Sequence, residues 1–210
     1  MKIIIFDTET TGLPVREGDL SAQPYVIQFA AITYEFNPQT RHLVELSRYN
    51  QLIKPPISIP SESSRITGIT DQTVSAMPPF SAVVSEIQAL FSTSDIAIAH
   101  NIEFDRQIVA YEFERLGINT DFLPAEIYCS MERTRDLCKL PGRSGGYKAP
   151  KLMELHQFLL AERFEEAHNA IRDVEALGRC VKVLLTQGFY VPSYQPRAVK
   201  QQEALQESLF

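Results

Sequence analysis

The chain has 210 residues, of which 44% are hydrophobic and 22% are charged, and its formal net charge is −6. This is the composition of a globular protein, and the length suits one domain with a substantial buried core. The acidic balance argues against a protein that coats DNA without regard to sequence. It still allows an enzyme that grips only a few nucleotides.

The sequence also indicates a cellular compartment. Its apolar start is too short for a signal peptide, and no apolar run approaches the length of a membrane span. The three cysteines, Cys129, Cys138 and Cys180, form no C-x-x-C pair and predict neither a disulfide framework nor a structural zinc site. We expect a cytoplasmic protein with no membrane partner.

The stretch Ile3–Gly12 combines a buried strand with two acids. Its apolar part, Ile3–Phe6, predicts a short strand buried on both faces, and Asp7 and Glu9 follow at its end. Because side chains alternate along a strand, these two carboxylates project to the same side. Converging carboxylates repel each other, which favours a divalent cation such as Mg²⁺ or Mn²⁺ between them. The alternative for these residues alone is a turn cap at Asp7 and a solvated Glu9.

The first quarter of the chain predicts an antiparallel half-sheet. Apolar runs rich in β-favouring residues predict strands over Tyr25–Phe36 and Leu43–Ile53, which follow the first strand. A short helix is expected to begin near Pro60. A longer helix is expected to follow Pro79, because apolar residues then recur at helical spacing.

The remainder alternates strands with helices. The predicted elements are a strand over Ile96–Ala99, a helix from Glu103 to Gly117, a short strand over Glu126–Cys129 and helices over Leu152–Leu160 and Ala170–Gly188. Strand followed by helix is typical of an α/β domain with parallel central strands. We therefore expect one α/β domain over residues 1–190 and a flexible tail over residues 191–210, where Pro, Gln, Lys and Glu predominate.

Four acids and one histidine fall at predicted strand ends and helix starts. They are Asp7, Glu9, Asp105, His168 and Asp173. In an α/β sheet such positions gather at one edge. Four carboxylates can hold two divalent ions about 3.5–4 Å apart, an arrangement suited to phosphoryl displacement. A nearby imidazole can take a proton from the attacking water near neutral pH.

Three sequence blocks carry a family resemblance. FDTETTG (6–12), HNIEFD (100–105) and HNAIRD (168–173) resemble the three exonuclease motifs of the DEDDh group of 3′–5′ exonucleases, to which the proofreading epsilon subunit of bacterial DNA polymerase III belongs. The resemblance covers about residues 2–185, with the blocks in the same order. Ile66–Thr70 is also similar to a segment that these proteins carry between their first two motifs.

The resemblance implies an RNase H-like fold, a mixed sheet flanked by helices, and a two-metal site. One ion, Mg²⁺ or Mn²⁺, would be held by Asp7, Glu9 and Asp173. Asp7 would also reach the second ion, near Asp105. His168 would be the general base for hydrolysis of the last phosphodiester bond.

The resemblance further implies how a substrate binds. Thr8 and Leu13 would touch the terminal nucleotide, while Asn101 and Phe104 would line the cleft. The expected products are nucleoside 5′-monophosphates from single-stranded or frayed 3′ ends of DNA. Because nothing in the motifs recognises a 2′-hydroxyl, an RNA-trimming exonuclease of the same group remains an alternative. A non-catalytic subunit that binds nucleic acid is a second alternative.

Residues 131–151 form the most basic segment of the chain. They contain six Lys or Arg residues and two acids, and glycines are expected to make the middle of the segment flexible. Arg143 and Lys148 either hold phosphates of the incoming strand or belong to a solvated face. His100, at a strand end, is expected to be structural.

The last five residues suggest a protein partner. Gln206, Ser208, Leu209 and Phe210 resemble the short peptides by which bacterial replication proteins bind the sliding clamp, although Glu207 replaces a commonly apolar residue. Two adjacent apolar side chains on a flexible peptide suit insertion into a pocket. A DNA polymerase or its sliding clamp is therefore an expected partner of the tail.

Overall fold

The computed structural model describes residues 1–143, 145–164 and 169–193. The strands are β1 (Lys2–Thr10), β2 (Val26–Asn37), β3 (His42–Leu52), β4 (Ile96–Ala99) and β5 (Glu126–Cys129). They form one sheet in the order β3-β2-β1-β4-β5. The first three strands pair antiparallel, whereas β4 is parallel to both β1 and β5. This mixed sheet confirms the predicted α/β fold.

Helices cover both faces of the sheet. They are α1 (Ser61–Thr67), α2 (Asp71–Val74), α3 (Phe80–Ser92), α4 (Ile102–Arg115), α5 (Ser130–Arg133), α6 (Arg135–Cys138), α7 (Leu152–Leu160) and α8 (Ala170–Thr186). Helices α7 and α8 share one hydrophobic core with the sheet, and α3 and α4 share the other. In the described part of the chain, no helix has the length and hydropathy needed to span a membrane.

The central strand β1 contributes to both cores because its side chains alternate. Ile3 and Ile5 pack into the core formed with α7 and α8. Ile4 and Phe6 pack into the core formed with α3 and α4. All four side chains are inaccessible to solvent, as the unbroken apolar run predicts.

Strand β1 is longer than the sequence predicts. We expected the strand to end where the acids begin, but its pairing with β2 continues through Asp7 and Glu9 to Thr10. A register shift between Glu9 and Thr10 then ends the regular ladder. Both carboxylates are therefore held by a backbone that is hydrogen-bonded to its neighbour.

The basic segment 131–151 is more regular than predicted. Helices α5 and α6 occupy its start, and the described residues around the glycines form a hairpin with a bridge between Pro141 and Tyr147. The backbone N–H of Gly142 donates to the Gly146 carbonyl at 2.9 Å. The sequence did not predict this hairpin, in which these backbone groups find partners.

The chain beyond α8 is anchored at the β5 edge. Tyr190 stacks on Tyr128, and its hydroxyl donates to the Glu126 carboxylate at 2.7 Å. The same carboxylate accepts hydrogen bonds from the backbone and hydroxyl of Ser193. Residues 194–210 lie outside the described part of the chain, and with them the predicted clamp-binding peptide.

Gly178 marks a tight contact between α8 and β2. A Cβ atom at this position would overlap the Tyr34 hydroxyl and lie 3.3 Å from Tyr34 Cζ. Glycine within a helix normally costs about 1 kcal/mol relative to alanine. Here glycine is nevertheless favoured, because the Cβ atom of any other residue would collide with Tyr34.

We predict that Gly178→Ala lowers the free energy of unfolding by about 1–2 kcal/mol, because Tyr34 must move to make room. The loss should shrink by at least ~0.5 kcal/mol in a Tyr34→Phe background, which removes the overlapping hydroxyl. Urea unfolding of the four proteins in this cycle measures the coupling. Equal losses in both backgrounds would show that the contact does not select glycine.

Candidate active site

The geometry of β1 brings Asp7 and Glu9 to one face of the sheet. They continue the alternation that points Ile3 and Ile5 toward α8. Asp7 is partly exposed, and Glu9 is 8% exposed. The acids therefore lie where the hydrophobic layer between β1 and α8 opens to solvent.

Helix α8 supplies the third carboxylate. Asp173 lies in its first turn, and Val174 and Leu177, which follow it, pack into the core. One carboxylate oxygen from each of Asp7, Glu9 and Asp173 lies within 4.8 Å of the other two. Three oxygen donors at this separation suit a hard divalent cation.

Asp105 reaches the same region from α4. Strand β4 pairs with β1 only up to Ile5, so the β1 backbone beyond that residue lacks a strand partner on this side. The Asp105 Oδ1 fills this place by accepting hydrogen bonds from the Thr8 N–H at 2.9 Å and the Thr8 hydroxyl at 2.7 Å. Asp105 is 2% exposed. Thr8 thus holds Asp105 in position.

Burial and mutual repulsion raise the pKa values of these acids. The pKa of Asp7 lies well above its ordinary value because of burial, and then because of Asp105, Asp173 and Glu9. Burial, followed by the charges of Asp173 and Asp105, raises the pKa of Glu9 to about 8. Burial raises the pKa of Asp105 to about 7, although its bonds from Thr8 oppose the shift. No Lys or Arg is among the described residues that line this site, so a divalent cation fits the unbalanced charge.

The acids line a cleft of about 490 Å³. Its far wall is α1, which is fixed to the β1 side by a hydrogen bond from the Ser63 hydroxyl to the Thr11 carbonyl at 2.7 Å. Leu13 and Ile66 line the cleft and are 77% and 44% exposed. The cleft therefore offers an apolar entrance beside a group of carboxylates.

The second sequence block forms the turn between β4 and α4. Asn101 adopts a left-handed conformation with φ of 75°, which lets the chain reverse directly into the helix. Its neighbours His100 and Phe104 line the cleft. This turn places Asp105 in the first turn of α4, beside β1.

His100 is held by hydrogen bonds on both ring nitrogens. Nδ1 lies 2.9 Å from the Ser130 hydroxyl and Nε2 lies 3.0 Å from the Pro150 carbonyl. Since a carbonyl only accepts, Nε2 carries the proton. Burial lowers the pKa of His100 to about 4, so the ring is neutral near pH 7. These contacts agree with the structural role expected for His100, which ties the end of the basic segment to the cleft.

The remaining predicted site residues are placed as follows. His168 lies outside the described residues. Lys148 donates to both carboxylate oxygens of Glu154, at 2.5 and 2.7 Å. Arg143 lies exposed in the hairpin.

Sequence patterns did not reveal the α1 wall of the cleft. Ser63 and Ile66 belong to a short helix whose local sequence does not show which surface it packs against. Their place depends on the non-local contact of Ser63 with Thr11. The local signals here were the predicted helix start near Pro60 and the resemblance of Ile66–Thr70 to a segment of the family.

The sequence model of the exonuclease family RNase_T matches residues 4–180. The chain belongs to this exonuclease family. The matched range contains the three blocks on which the predicted resemblance depends, so the predicted exonuclease family is confirmed.

Two relatives of the chain are much longer than the chain itself. The 3′–5′ exonuclease DinG of Bacillus subtilis is 33% identical over 178 residues, which cover 84% of this chain and 17% of DinG. The PolC-type DNA polymerase III of Streptococcus mutans is 29% identical over 184 residues, covering 88% of this chain and 11% of PolC. The chain thus spans less than a fifth of either relative.

A solved structure supports the fold. The zinc-bound complex of Escherichia coli ExoI with single-stranded DNA superposes with a TM-score of 0.70 at 19% identity. The match covers 89% of this chain and 41% of ExoI. It confirms the predicted RNase H-like arrangement of a mixed sheet flanked by helices.

The carboxylate cluster generates a prediction about stability. Folding raises the pKa of Glu9 from its ordinary value of 4.5 to about 8. The protonated carboxyl therefore favours the folded state at low pH, and this contribution to the free energy of unfolding is lost as the pH rises from about 4.5 to 8. In EDTA at pH 8, Glu9→Gln should therefore raise the free energy of unfolding by about 1–3 kcal/mol. At pH 4.5 the difference should be small.

Urea unfolding with and without Mn²⁺ measures this effect. Wild type should gain more stability from Mn²⁺ than the Glu9→Gln variant, because the ion binds the folded state through these carboxylates. Glu35→Gln, at an exposed position of β2, is the matched control and should change neither quantity. A Glu9→Gln variant less stable than wild type in EDTA at pH 8 would contradict the repulsion argument.

Proposed function

We propose that this protein is a divalent-metal-dependent 3′–5′ exonuclease that hydrolyses single-stranded or frayed DNA ends to nucleoside 5′-monophosphates. The observation that carries the proposal is the cluster of Asp7, Glu9 and Asp173 at the base of an open cleft in an exonuclease-family domain. The name of DinG supports the 3′–5′ direction, and the ExoI complex with single-stranded DNA supports the substrate. A cytoplasmic location is part of the proposal.

Two ions, Mg²⁺ or Mn²⁺, are proposed as cofactors. Asp7, Glu9 and Asp173 would hold one of them, and Asp7 with Asp105 would hold the other. When bound, such ions stabilise the negative charge that develops on the attacking and leaving oxygens. The protein holds their ligands on β1, α4 and α8, so little reorganisation is needed during turnover.

The other side chains of the site orient the substrate. Leu13 and Ile66 offer apolar surface for the terminal nucleotide, and Phe104 offers an aromatic ring at the opposite wall. Asn101 shapes the turn behind that wall. We propose His168 as the general base that accepts a proton from the attacking water.

The main test is a time course with a 5′-labelled single-stranded DNA and its RNA counterpart in Mg²⁺. We expect the DNA to shorten by one nucleotide at a time from its 3′ end, because only the terminal bond reaches the carboxylates. Asp7→Ala and His168→Ala should each lower kcat by at least about 100-fold. Glu35→Ala, on the same sheet but away from the cleft, should retain wild-type activity.

Two other outcomes of this time course would favour a different function. Faster shortening of the RNA would identify an exoribonuclease, since the motifs do not discriminate the 2′-hydroxyl. No shortening of either strand, in Mg²⁺ or Mn²⁺, would contradict the enzyme assignment and favour a non-catalytic nucleic-acid-binding subunit.

The hairpin of the basic segment is proposed to hold phosphates of the strand entering the cleft. Arg143 lies exposed in that hairpin, whereas Lys148 is bonded to Glu154. We therefore expect Arg143→Glu to raise KM for a 20-mer about tenfold and to reduce its salt dependence. Lys148→Glu should have a smaller effect, because Lys148 already has an anionic partner.

Lys182→Glu provides the control for this charge reversal. Lys182 is exposed on the half of α8 that is remote from Asp173, so the variant has the same net charge without affecting the cleft. Its KM should stay within about twofold of wild type. Equal KM values for the Arg143→Glu and Lys182→Glu variants would show that the hairpin does not bind the strand.

The tail is proposed to bind a replication sliding clamp, which would place the enzyme in replication proofreading or repair. The likeness to PolC, a polymerase that carries a related segment, supports a link to replication. Deleting Leu209 and Phe210 should abolish capture of the clamp in a pull-down, because these side chains would fill its pocket. Hydrolysis of short oligonucleotides should continue unchanged. Retained capture would contradict the clamp proposal.

A further inference from the structure

Gln28 is a buried polar residue directly beside the carboxylates. It lies on β2 opposite Glu9 in the strand pairing, so both side chains point to the α8 side of the sheet. Gln28 is 3% exposed. A buried amide at this place requires partners for both of its ends.

Both ends of the Gln28 amide have partners. Nε2 donates to the Asn50 Oδ1 on β3 at 2.9 Å. Oε1 accepts from the backbone N–H of Ala170 at 3.2 Å. The bond to Asn50 fixes the orientation of the amide, because it directs the oxygen toward α8.

The bond to Ala170 connects the sheet to the start of a helix. Ala170 is the first residue of α8, where backbone N–H groups have no partner within the helix. Asp173 follows one turn later, and its N–H donates to the Asn169 carbonyl at 3.0 Å. The Ala170 backbone and the Asp173 carboxylate are therefore parts of the same rigid turn.

This bond links the elements that carry two of the proposed metal ligands, Glu9 and Asp173. Glu9 is held by the pairing of β1 with β2, and Asp173 is held by α8. Apolar contacts along α8 allow small shifts of the helix along its axis, since they have little directional preference. A hydrogen bond from its first N–H to β2 opposes such a shift.

We infer that Gln28 is a positioning residue that sets Asp173 against Asp7 and Glu9 by bonding the N-terminus of α8. Gln28 acts through the helix and does not touch the substrate. The inference rests on the proposed function, in which these three carboxylates hold a catalytic divalent ion.

The experiment compares Gln28→Met with Thr33→Val. Gln28→Met keeps the side-chain length but removes both hydrogen bonds. Thr33→Val removes another β2–β3 side-chain bond, from Thr33 to the Ser47 hydroxyl at 2.7 Å, at a point remote from the carboxylates. Both variants remove a side-chain bond between β2 and β3. Only Gln28→Met also removes the hydrogen bond to the N-terminus of α8.

Three quantities are measured for each protein: Mn²⁺ affinity by electron paramagnetic resonance, steady-state kcat and KM on a short oligonucleotide, and Tm. Gln28→Met should weaken Mn²⁺ binding and lower kcat about tenfold each, with KM within about twofold of wild type. Thr33→Val should lower Tm while leaving Mn²⁺ affinity and kcat within about twofold. Gln28→Glu should restore kcat to within about threefold of wild type, because its carboxylate accepts the Ala170 bond and the Asn50 amide can turn to donate.

Several outcomes would overturn the inference. One is a Gln28→Met variant whose Mn²⁺ affinity and kcat match those of Thr33→Val. If Gln28→Met does not fold, Gln28→Asn replaces it, because the shorter amide cannot reach Ala170. Wild-type Mn²⁺ affinity in the Gln28→Asn variant would also overturn the inference. Failure of the wild-type enzyme to shorten any strand is a separate result. It would refute the proposed function, whereas the Mn²⁺ titration would still test the position of Asp173.

Discussion

Repulsion between the carboxylates on one face of β1 is the interaction that the other contacts of the site must counteract. The alternation that buries Ile3 and Ile5 against α8 also directs Asp7 and Glu9 to that side. Asp173 then adds a third negative charge. Three such charges close together are unfavourable unless a cation or bound protons neutralise them, and the raised pKa values of Asp7 and Glu9 express this cost.

The fold opposes this repulsion by holding the acids on three elements, β1, α4 and α8. Pairing with β2 extends β1 beyond its apolar part, so that Glu9 lies on a rigid strand. Thr8 binds Asp105 with two hydrogen bonds where β4 has ended. Gln28 bonds the first N–H of α8, the helix that carries Asp173. Strong intrinsic repulsion is thus opposed by hydrogen bonds and by the two hydrophobic cores.

Local patterns in the sequence were sufficient for the sheet and for the gathering of Asp7, Glu9 and Asp173 at one place. The apolar run Ile3–Phe6 and the i, i+2 spacing of the acids correctly predicted a buried strand with both carboxylates on one side. The three motif blocks predicted the family. What local sequence could not give were contacts between distant segments, such as Gln28 with Ala170 or Ser63 with Thr11, because nothing in either segment specifies its partner. The basic hairpin was missed for the same reason, since its glycines indicate flexibility and its backbone pairing is visible only in three dimensions.

The most direct measurement of the metal site is an anomalous difference map from crystals grown with Mn²⁺ and a short oligothymidylate. We expect a peak bonded to Asp7, Glu9 and Asp173, a second peak between Asp7 and Asp105, and the 3′-terminal phosphate beside both. An oligonucleotide bound with its 3′ end in the cleft, but without Mn²⁺ at these carboxylates, would contradict the account.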